Sequence, residues 1–205
     1  MSESCANNSA SKMSGAVKIL CREIVSRGFG LLERVTWRRR KFDGTPQEIT
    51  REFYDTGPGA TILLYDRERR RILLVRQFRP AVYLVEGRDS LLETCAGKLE
   101  GAAAAERIVM EVLEETGLRI GAPTYLFSAY MSPGVYAEKI SFFIAPYSPR
   151  DRVTNGGGLA DEGEDIEIVE PTLDEALAMI ETGEIADAKT ILLIHYAVLH
   201  RLMER

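Results

Sequence analysis

The chain has 205 residues, 45% of them hydrophobic and 28% charged, with a formal net charge of −5. That length suits one large domain, or one domain with a small companion. The acidic balance argues against non-specific nucleic-acid binding but allows a small anionic substrate held by local Arg and Lys, and no apolar run reaches the roughly 18 residues that suggest a membrane-spanning helix.

Residues 1–15 are polar and small, and they read as a disordered tail lacking the apolar core of a signal peptide. The cysteines, Cys5, Cys21 and Cys95, show no metal or redox spacing. Their odd number, without a secretion signal, points to a reducing, cytoplasmic setting. Segments 17–27, 30–41 and 47–54 read as three strands, with Asp43-Gly44 a hairpin signal between the second and third. A β-domain over 16–56 is too small to bury a core alone, so it must lean on the main domain or on a second subunit. The run Arg38-Arg39-Arg40-Lys41 is most simply a solvated hairpin tip, with a phosphate or base contact as the alternative.

Asp55-Thr56-Gly57-Pro58-Gly59 marks a boundary, which gives a main domain over 57–205. Segments 60–65 and 72–78 read as a buried strand pair. Arg76 and Arg79 then bracket Phe78. They are either plain surface charges or forked donors able to grip a diphosphate. Leu91 to Cys95 is the end of a strand, which Ala96-Gly97 is expected to break. Gly101 precedes an alanine-rich helix whose Ile108, Val109, Val112 and Leu113 recur at helical spacing, and Gly117 stands where a left-handed residue would end it.

Glu111, Glu114 and Glu115 crowd one side of that helix. Each like-charge pair costs about 0.2–0.5 kcal/mol, and the last two turns of a helix favour cations instead. Either this is a solvated acidic helix end, or a cation compensates it. Oxygen-only ligands suit a hard divalent ion such as Mg²⁺ or Mn²⁺.

Segments 123–130 and 139–147 read as strands joined by a loop, 131–138, too apolar to be only a linker. Residues 154–165 form a flexible glycine-rich loop with four carboxylates. It is either a solvated acidic loop or the source of a mobile general base and a further metal ligand. A strand over 166–169 follows. Thr172 with Glu175 forms a capping box for a helix to about Glu181, closed by Gly183. A last amphipathic helix spans about 188–203. His195 and His200 lie on different faces of it and do not form a ligand pair.

The run Glu111-Val112-Leu113-Glu114-Glu115-Thr116-Gly117-Leu118 matches the second half of the Nudix box, Gly-x5-Glu-x7-Arg-Glu-U-x-Glu-Glu-x-Gly-U. The first half departs from it. The spacing from Gly97 is one residue short, Ala102 and Ala103 stand where the loop Glu is expected, and Met110 replaces the Arg. Outside the box, segments 51–66, 76–83, 93–97, 129–148, 156–168 and 184–196 are collinear with the nucleotide-sugar and ADP-ribose pyrophosphatase branch of the Nudix hydrolases. The likeness is greatest to bacterial members that cleave GDP-mannose.

This resemblance implies an α+β fold, an α/β/α sandwich around a mixed sheet with a small N-terminal antiparallel β-domain swapped in a homodimer. It implies Mg²⁺ held by the Ala96 carbonyl, Glu111, Glu115 and Glu164, with Mn²⁺ a possible substitute. Glu162 is the candidate base and Glu138 the runner-up. Arg79, Ala96, Glu138, Glu162 and Lys189 are implied to bind the substrate, with Arg51 and Glu52 reaching it from the partner subunit. The implied reaction is hydrolysis of a nucleoside diphosphate sugar, with GDP-mannose expected first, ADP-ribose as the alternative and UDP-glucose third. A catalytically weak nucleotide-sugar binding protein is the expectation from another class.

Overall fold

The computed structural model describes residues 17–204, apart from the side chain of Glu162. The tail expected over 1–15 lies outside the described residues. The chain divides into two compact units, one running through Gly57 and including Ser132–Glu138, the other Pro58–Met131 with Lys139 onward.

In the first unit, β1 (Val17–Arg27), β2 (Leu31–Arg40) and β3 (Pro46–Asp55) form an antiparallel sheet in that order. The β2–β3 turn is the expected one. The Asp43 carboxylate accepts from the Thr45 amide at 2.9 Å, and Gly44 takes a positive φ of 81°, an arrangement natural to Asx and glycine. Within these strands only Glu33 and Val35 are buried. Arg22 forks onto Glu33, with Nε and Nη2 each donating at 2.5 Å. The apolar loop has a structural role in this unit. Tyr54 donates its amide to the Val135 carbonyl at 2.8 Å and accepts from the Ala137 amide at 2.9 Å, and the Tyr54 and Tyr136 rings stack at 6.1 Å.

The second unit begins with β4 (Gly59–Asp66) and β5 (Arg71–Gln77), then α1 (Pro80–Glu86), β6 (Leu91–Glu93), β7 (Cys95–Lys98) and α2 (Ala104–Thr116). It continues through β8 (Thr124–Tyr130), β9 (Lys139–Pro146), β10 (Glu167–Val169), α3 (Leu173–Glu181) and α4 (Ala188–Leu199). The main path of the sheet is β10-β5-β4-β9-β8, with β4 and β9 parallel and the other neighbours antiparallel.

β4 is buried on both faces, and its side chains alternate between two cores. Ala60, Ile62 and Leu64 join Leu73, Val75 and Phe143 under Ile108 and Val112 of α2. Leu63 and Tyr65 join Ile72, Leu74 and Phe142 under Ala176 of α3 and Leu193, Ile194 and Ala197 of α4. This is the expected sandwich, a sheet between helices.

The sheet splays where the site will form. β4 and β5 pair only at Leu64–Asp66 with Arg71–Leu73. Beyond that, β7 takes over the edge of β4 along Gly59–Ile62, and β6 pairs with β5 at Val75–Gln77. Thr94 is the hinge between them. The expected break at Ala96-Gly97 is therefore a strand, because those residues pair with Thr61 and Ala60.

Two other expectations change, and a stretch left without an element gains one. The stretch after Phe78 turns into a helix, α1, because Pro80 at its first position has a φ preset for helix and lacks a donor the helix would leave unused there. The last helix stops at Leu199, short of 203. The glycine-rich loop is pinned at its start: Gly157 and Gly158 donate their amides to the carbonyls of Glu115 and Glu114 at 2.9 and 3.1 Å. These are orphan acceptors at the end of α2. Gly156 has a φ of +67°, and a Cβ there would lie 2.6 Å from the Glu115 carbonyl oxygen, so only glycine closes this contact.

Candidate active site

The site grows from the packing of α2 over β7. A Cβ on Gly97 would lie 1.7 Å from Glu111 Oε1, so the carboxylate occupies the space that glycine leaves vacant. Glu111 and Glu115 are both buried, at 6% and 1% exposure. This excludes the reading of a solvated acidic helix end, since the two glutamates lie on the same side of the helix as Ile108 and Val112. Glu114 is less enclosed, with 23% of its side chain exposed.

Burial without full compensation shifts both carboxyls. Burial, with the charges of Glu111 and Glu164 adding, pushes Glu115 up to about 8, against the hydrogen bond from the Cys95 thiol and the charge of Arg79. Burial pushes Glu111 up to about 7, against Arg107 and with Glu114 and Glu164 adding. The Cys95 thiol is itself raised well above its ordinary value, by burial and then by Glu115. Glu115 Oε2 is the one fully buried side-chain oxygen among the described residues with no hydrogen-bond partner. Such an atom is costly unless something fills the position.

The sequence reading missed Arg107. Its Nη2 meets Glu111 Oε1 at 2.7 Å, its Nη1 lies 3.8 Å from Glu114, and its Nε donates to the Lys98 carbonyl at 3.3 Å. The i, i+4 spacing from Glu111 was the available signal. Met110, at the position of the expected arginine, is half exposed, so the cation facing Glu111 stands one turn earlier.

Glu164 accepts from the Leu159 amide at 2.9 Å and packs against Gly158, where a Cβ would lie 2.6 Å from Glu164 Oε2. With Glu111 turned onto Arg107 and Glu164 onto a backbone amide, no group of three or more His, Cys, Asp or Glu side chains among the described residues is already arranged around a metal position. The donor chemistry nevertheless fits a hard divalent cation: an unpartnered carboxylate oxygen, a second buried carboxylate, and the half-buried backbone of β7 beside them. The side chain of Glu162, the candidate base, lies outside the described residues.

A second cluster surrounds Glu93, also missed. Glu93 Oε2 accepts from Arg79 Nε at 2.5 Å, and Glu93 Oε1 lies 3.5 Å from Lys189 Nζ. Lys189 also meets Asp187 Oδ1 at 2.5 Å. Asp187 is the N-cap of α4: its Oδ2 accepts from the Thr190 amide at 2.9 Å and hydroxyl at 2.7 Å. The Thr190 hydroxyl accepts from the Thr94 amide at 2.7 Å, and Thr94 and Thr61 share a hydrogen bond at 2.8 Å. A buried polar chain thus ties the start of α4 to the hinge between β6 and β7. Burial alone would lower Lys189, but Asp187 and Glu93 outweigh it and raise it.

Arg79 and Lys189 are therefore brought together, as are Glu111 and Glu115. Arg51, Glu52 and Glu138 belong to the first unit. There Arg51 Nη1 donates to the Thr50 carbonyl at 2.8 Å, Glu52 pairs with Arg34 at 2.6 Å, and the Tyr136 hydroxyl lies 3.4 Å from Glu138 Oε1.

Comparison with known proteins gives four findings. Residues 55–193 match the model of the NUDIX domain. A protein of Citrobacter koseri named GDP-mannose pyrophosphatase is 45% identical over 186 residues, covering 90% of this chain and 96% of its own length. One of the same name from Shigella flexneri is 43% identical, covering 94% and 100%. The crystal structure of an ADP compounds hydrolase superposes with a TM-score of 0.70 at 20% identity, covering 94% of this chain and 97% of that one.

Proposed function

This chain belongs to the NUDIX family as a pyrophosphohydrolase, and from that membership we propose that it hydrolyses the diphosphate bond of GDP-mannose, giving GMP and mannose 1-phosphate. The observation that carries the site assignment is the buried pair Glu111 and Glu115, left with one oxygen that the protein does not satisfy. Support for the substrate comes from the names of the relatives, which align along nearly their whole length.

In this reading Glu111, Glu115, Glu164 and the Ala96 carbonyl hold Mg²⁺, with Mn²⁺ able to replace it. The bound ion supplies charge neutralisation at the diphosphate and acidifies water. Arg79 and Lys189 bind the diphosphate by charge-assisted hydrogen bonds. Glu162 accepts the proton of the attacking water, with Glu138 as the second candidate. Arg107 keeps Glu111 facing β7 until the ion binds.

The proposal includes a cytoplasmic homodimer in which the β-domain is exchanged and brings Arg51 and Glu52 to the partner's substrate. Two features of the first unit support it. Val17, Ile19, Ile24 and Val25 are exposed on its sheet, and a concavity of about 280 Å³ is lined by Val17, Ile19, Arg22, Val35, Trp37 and Phe53. Among the described residues no helix is long and apolar enough to cross a membrane.

The test is phosphate release through a coupled phosphatase, with GDP-mannose, ADP-ribose, UDP-glucose and a dinucleoside polyphosphate each supplied with Mg²⁺ or with chelator. Chelator-sensitive turnover of GDP-mannose is expected. Preferred turnover of ADP-ribose or UDP-glucose reassigns the substrate. Binding without turnover identifies a weak, nucleotide-sugar binding protein.

A further inference from the structure

Glu93 is a buried carboxylate with no role in the reaction as outlined. Its side chain is 5% exposed, whereas that of Arg79 is 40% exposed and that of Lys189 is 18% exposed. Glu93 ends β6, immediately before the hinge at Thr94, and that hinge is anchored by Thr190 and Thr61. The carboxylate therefore sits on a rigid base, while the two cations it holds are long side chains with many rotamers. Arg79 offers its inner Nε edge to Glu93. A guanidinium gripped at Nε keeps its outer Nη edge free for a second acceptor.

We propose that Glu93 is a positioning residue: with one oxygen on Arg79 and the other facing Lys189, it holds the two cations as a preformed pair for one diphosphate group. The inference rests on the reading that Arg79 and Lys189 bind that diphosphate. Glu93 touches neither substrate nor metal in this scheme. It removes the freedom of two side chains before the substrate arrives, and such ordering otherwise weakens binding. Asp187 supports the same arrangement from the α4 cap, holding Lys189 from its other side.

The experiment is a double-mutant cycle on the full chain with Glu93→Gln, Arg79→Ala and the pair, adding Glu93→Asp. KM for the sugar nucleotide, kcat and the Mg²⁺ concentration for half-activation are measured for each. Glu93→Gln should raise KM about tenfold, in line with loss of a buried charge-assisted hydrogen bond. Its kcat should fall by less, and its Mg²⁺ half-activation should stay within twofold of the parent. Glu93→Asp keeps the charge and should recover part of the KM. In the double variant the effects should not multiply, because Glu93 acts largely through Arg79.

A parent-like KM for Glu93→Gln, beside a raised KM for Arg79→Ala, overturns the positioning role and leaves the diphosphate reading standing. A parent-like KM for Arg79→Ala overturns the diphosphate reading itself. If Glu93→Gln is poorly folded, the comparison moves to Glu93→Asp, whose KM must then rise above the parent's and must not multiply with that of Arg79→Ala. A parent-like KM in that variant, or fully multiplicative effects, also overturns the proposal.

Discussion

Two buried acidic groups in the same unit are handled in opposite ways. Around Glu93 and Asp187 the protein supplies its own cations, Arg79 and Lys189. Around Glu111 and Glu115 the cation in contact is Arg107, with the charge of Arg79 felt at Glu115. Arg107 meets Glu111, while Glu115 is left with a thiol and an unpartnered oxygen. The first cluster is electrically complete and the second is not. A buried charge is tolerated when it is paired, and an unpaired one takes up a proton or waits for a cation from solution. The raised carboxyls of Glu111 and Glu115 express that deficit. The contrast matches the roles proposed for the two clusters, paired cations for an anionic substrate in the first and an unsatisfied carboxylate for a metal in the second.

The strongest way to break this comparison is Glu115→Gln. It changes the carboxyl that carries the unpartnered buried oxygen. Turnover should fall about a thousandfold, and the rise in melting temperature that Mg²⁺ gives the parent should disappear. Turnover near the parental rate means that the metal site is elsewhere. Gly97→Ala probes the same cluster through space. The new Cβ overlaps Glu111 Oε1 and must displace it. A loss of about a hundredfold in turnover, with weaker Mg²⁺ binding by calorimetry, is expected. Unchanged binding would show that Glu111 is not a ligand.

Acidity gives a third handle. The carboxyl of Glu111 lies at about 7 and that of Glu115 at about 8, above their ordinary 4.5. Across that window the folded metal-free protein holds protons that the unfolded chain has released. Metal-free stability therefore falls as pH rises from about 4.5 to about 8. Mg²⁺ competes with those protons, so its stabilising effect grows over the same range. Thermal melts with and without Mg²⁺ at several pH values check both slopes. A flat metal-free profile would remove the electrostatic distinction between the clusters.

Arg107→Ala makes the deficit worse. Without that cation Glu111 holds its proton more firmly, so Mg²⁺ binding should weaken several-fold near pH 6 and recover as pH rises to about 9. A deficit that is independent of pH would show that Arg107 acts by packing alone. The smallest effect belongs to the complete cluster. Thr190→Val leaves the buried Thr94 amide without its acceptor and should cost about 1–3 kcal/mol of stability, read by chemical denaturation. A cost near zero would mean that the polar chain does not anchor the hinge.

Much of this architecture can be read directly from local residue patterns. Short apolar stretches located β4 and β9. The Thr172 and Glu175 capping box opened α3 where expected, and Gly117 ended α2 with a φ of +71°. The spacing of Glu111 and Glu115 placed both on one side of α2, because helical geometry depends only on nearby residues. The segments collinear with the family carried the enzyme class. What the local pattern left open was whether that acidic face is wet or buried, and which cations meet it.

Those questions are decided by contacts between residues distant in sequence. Glu111 is buried because Gly97 on β7 leaves space for it, and Gly97 is in a strand because β4 and β5 splay apart. Glu93 and Lys189 are 96 residues apart in the chain, and they meet because the Asp187 cap and the Thr190 to Thr94 bond bring α4 against the hinge. Local residue patterns locate most of the elements and set the chemical character of their faces, but not α1 or β7. Folding settles which buried carboxylates receive a cation from the chain and which keep an unpartnered oxygen, because that balance depends on charges that only long-range contacts bring together.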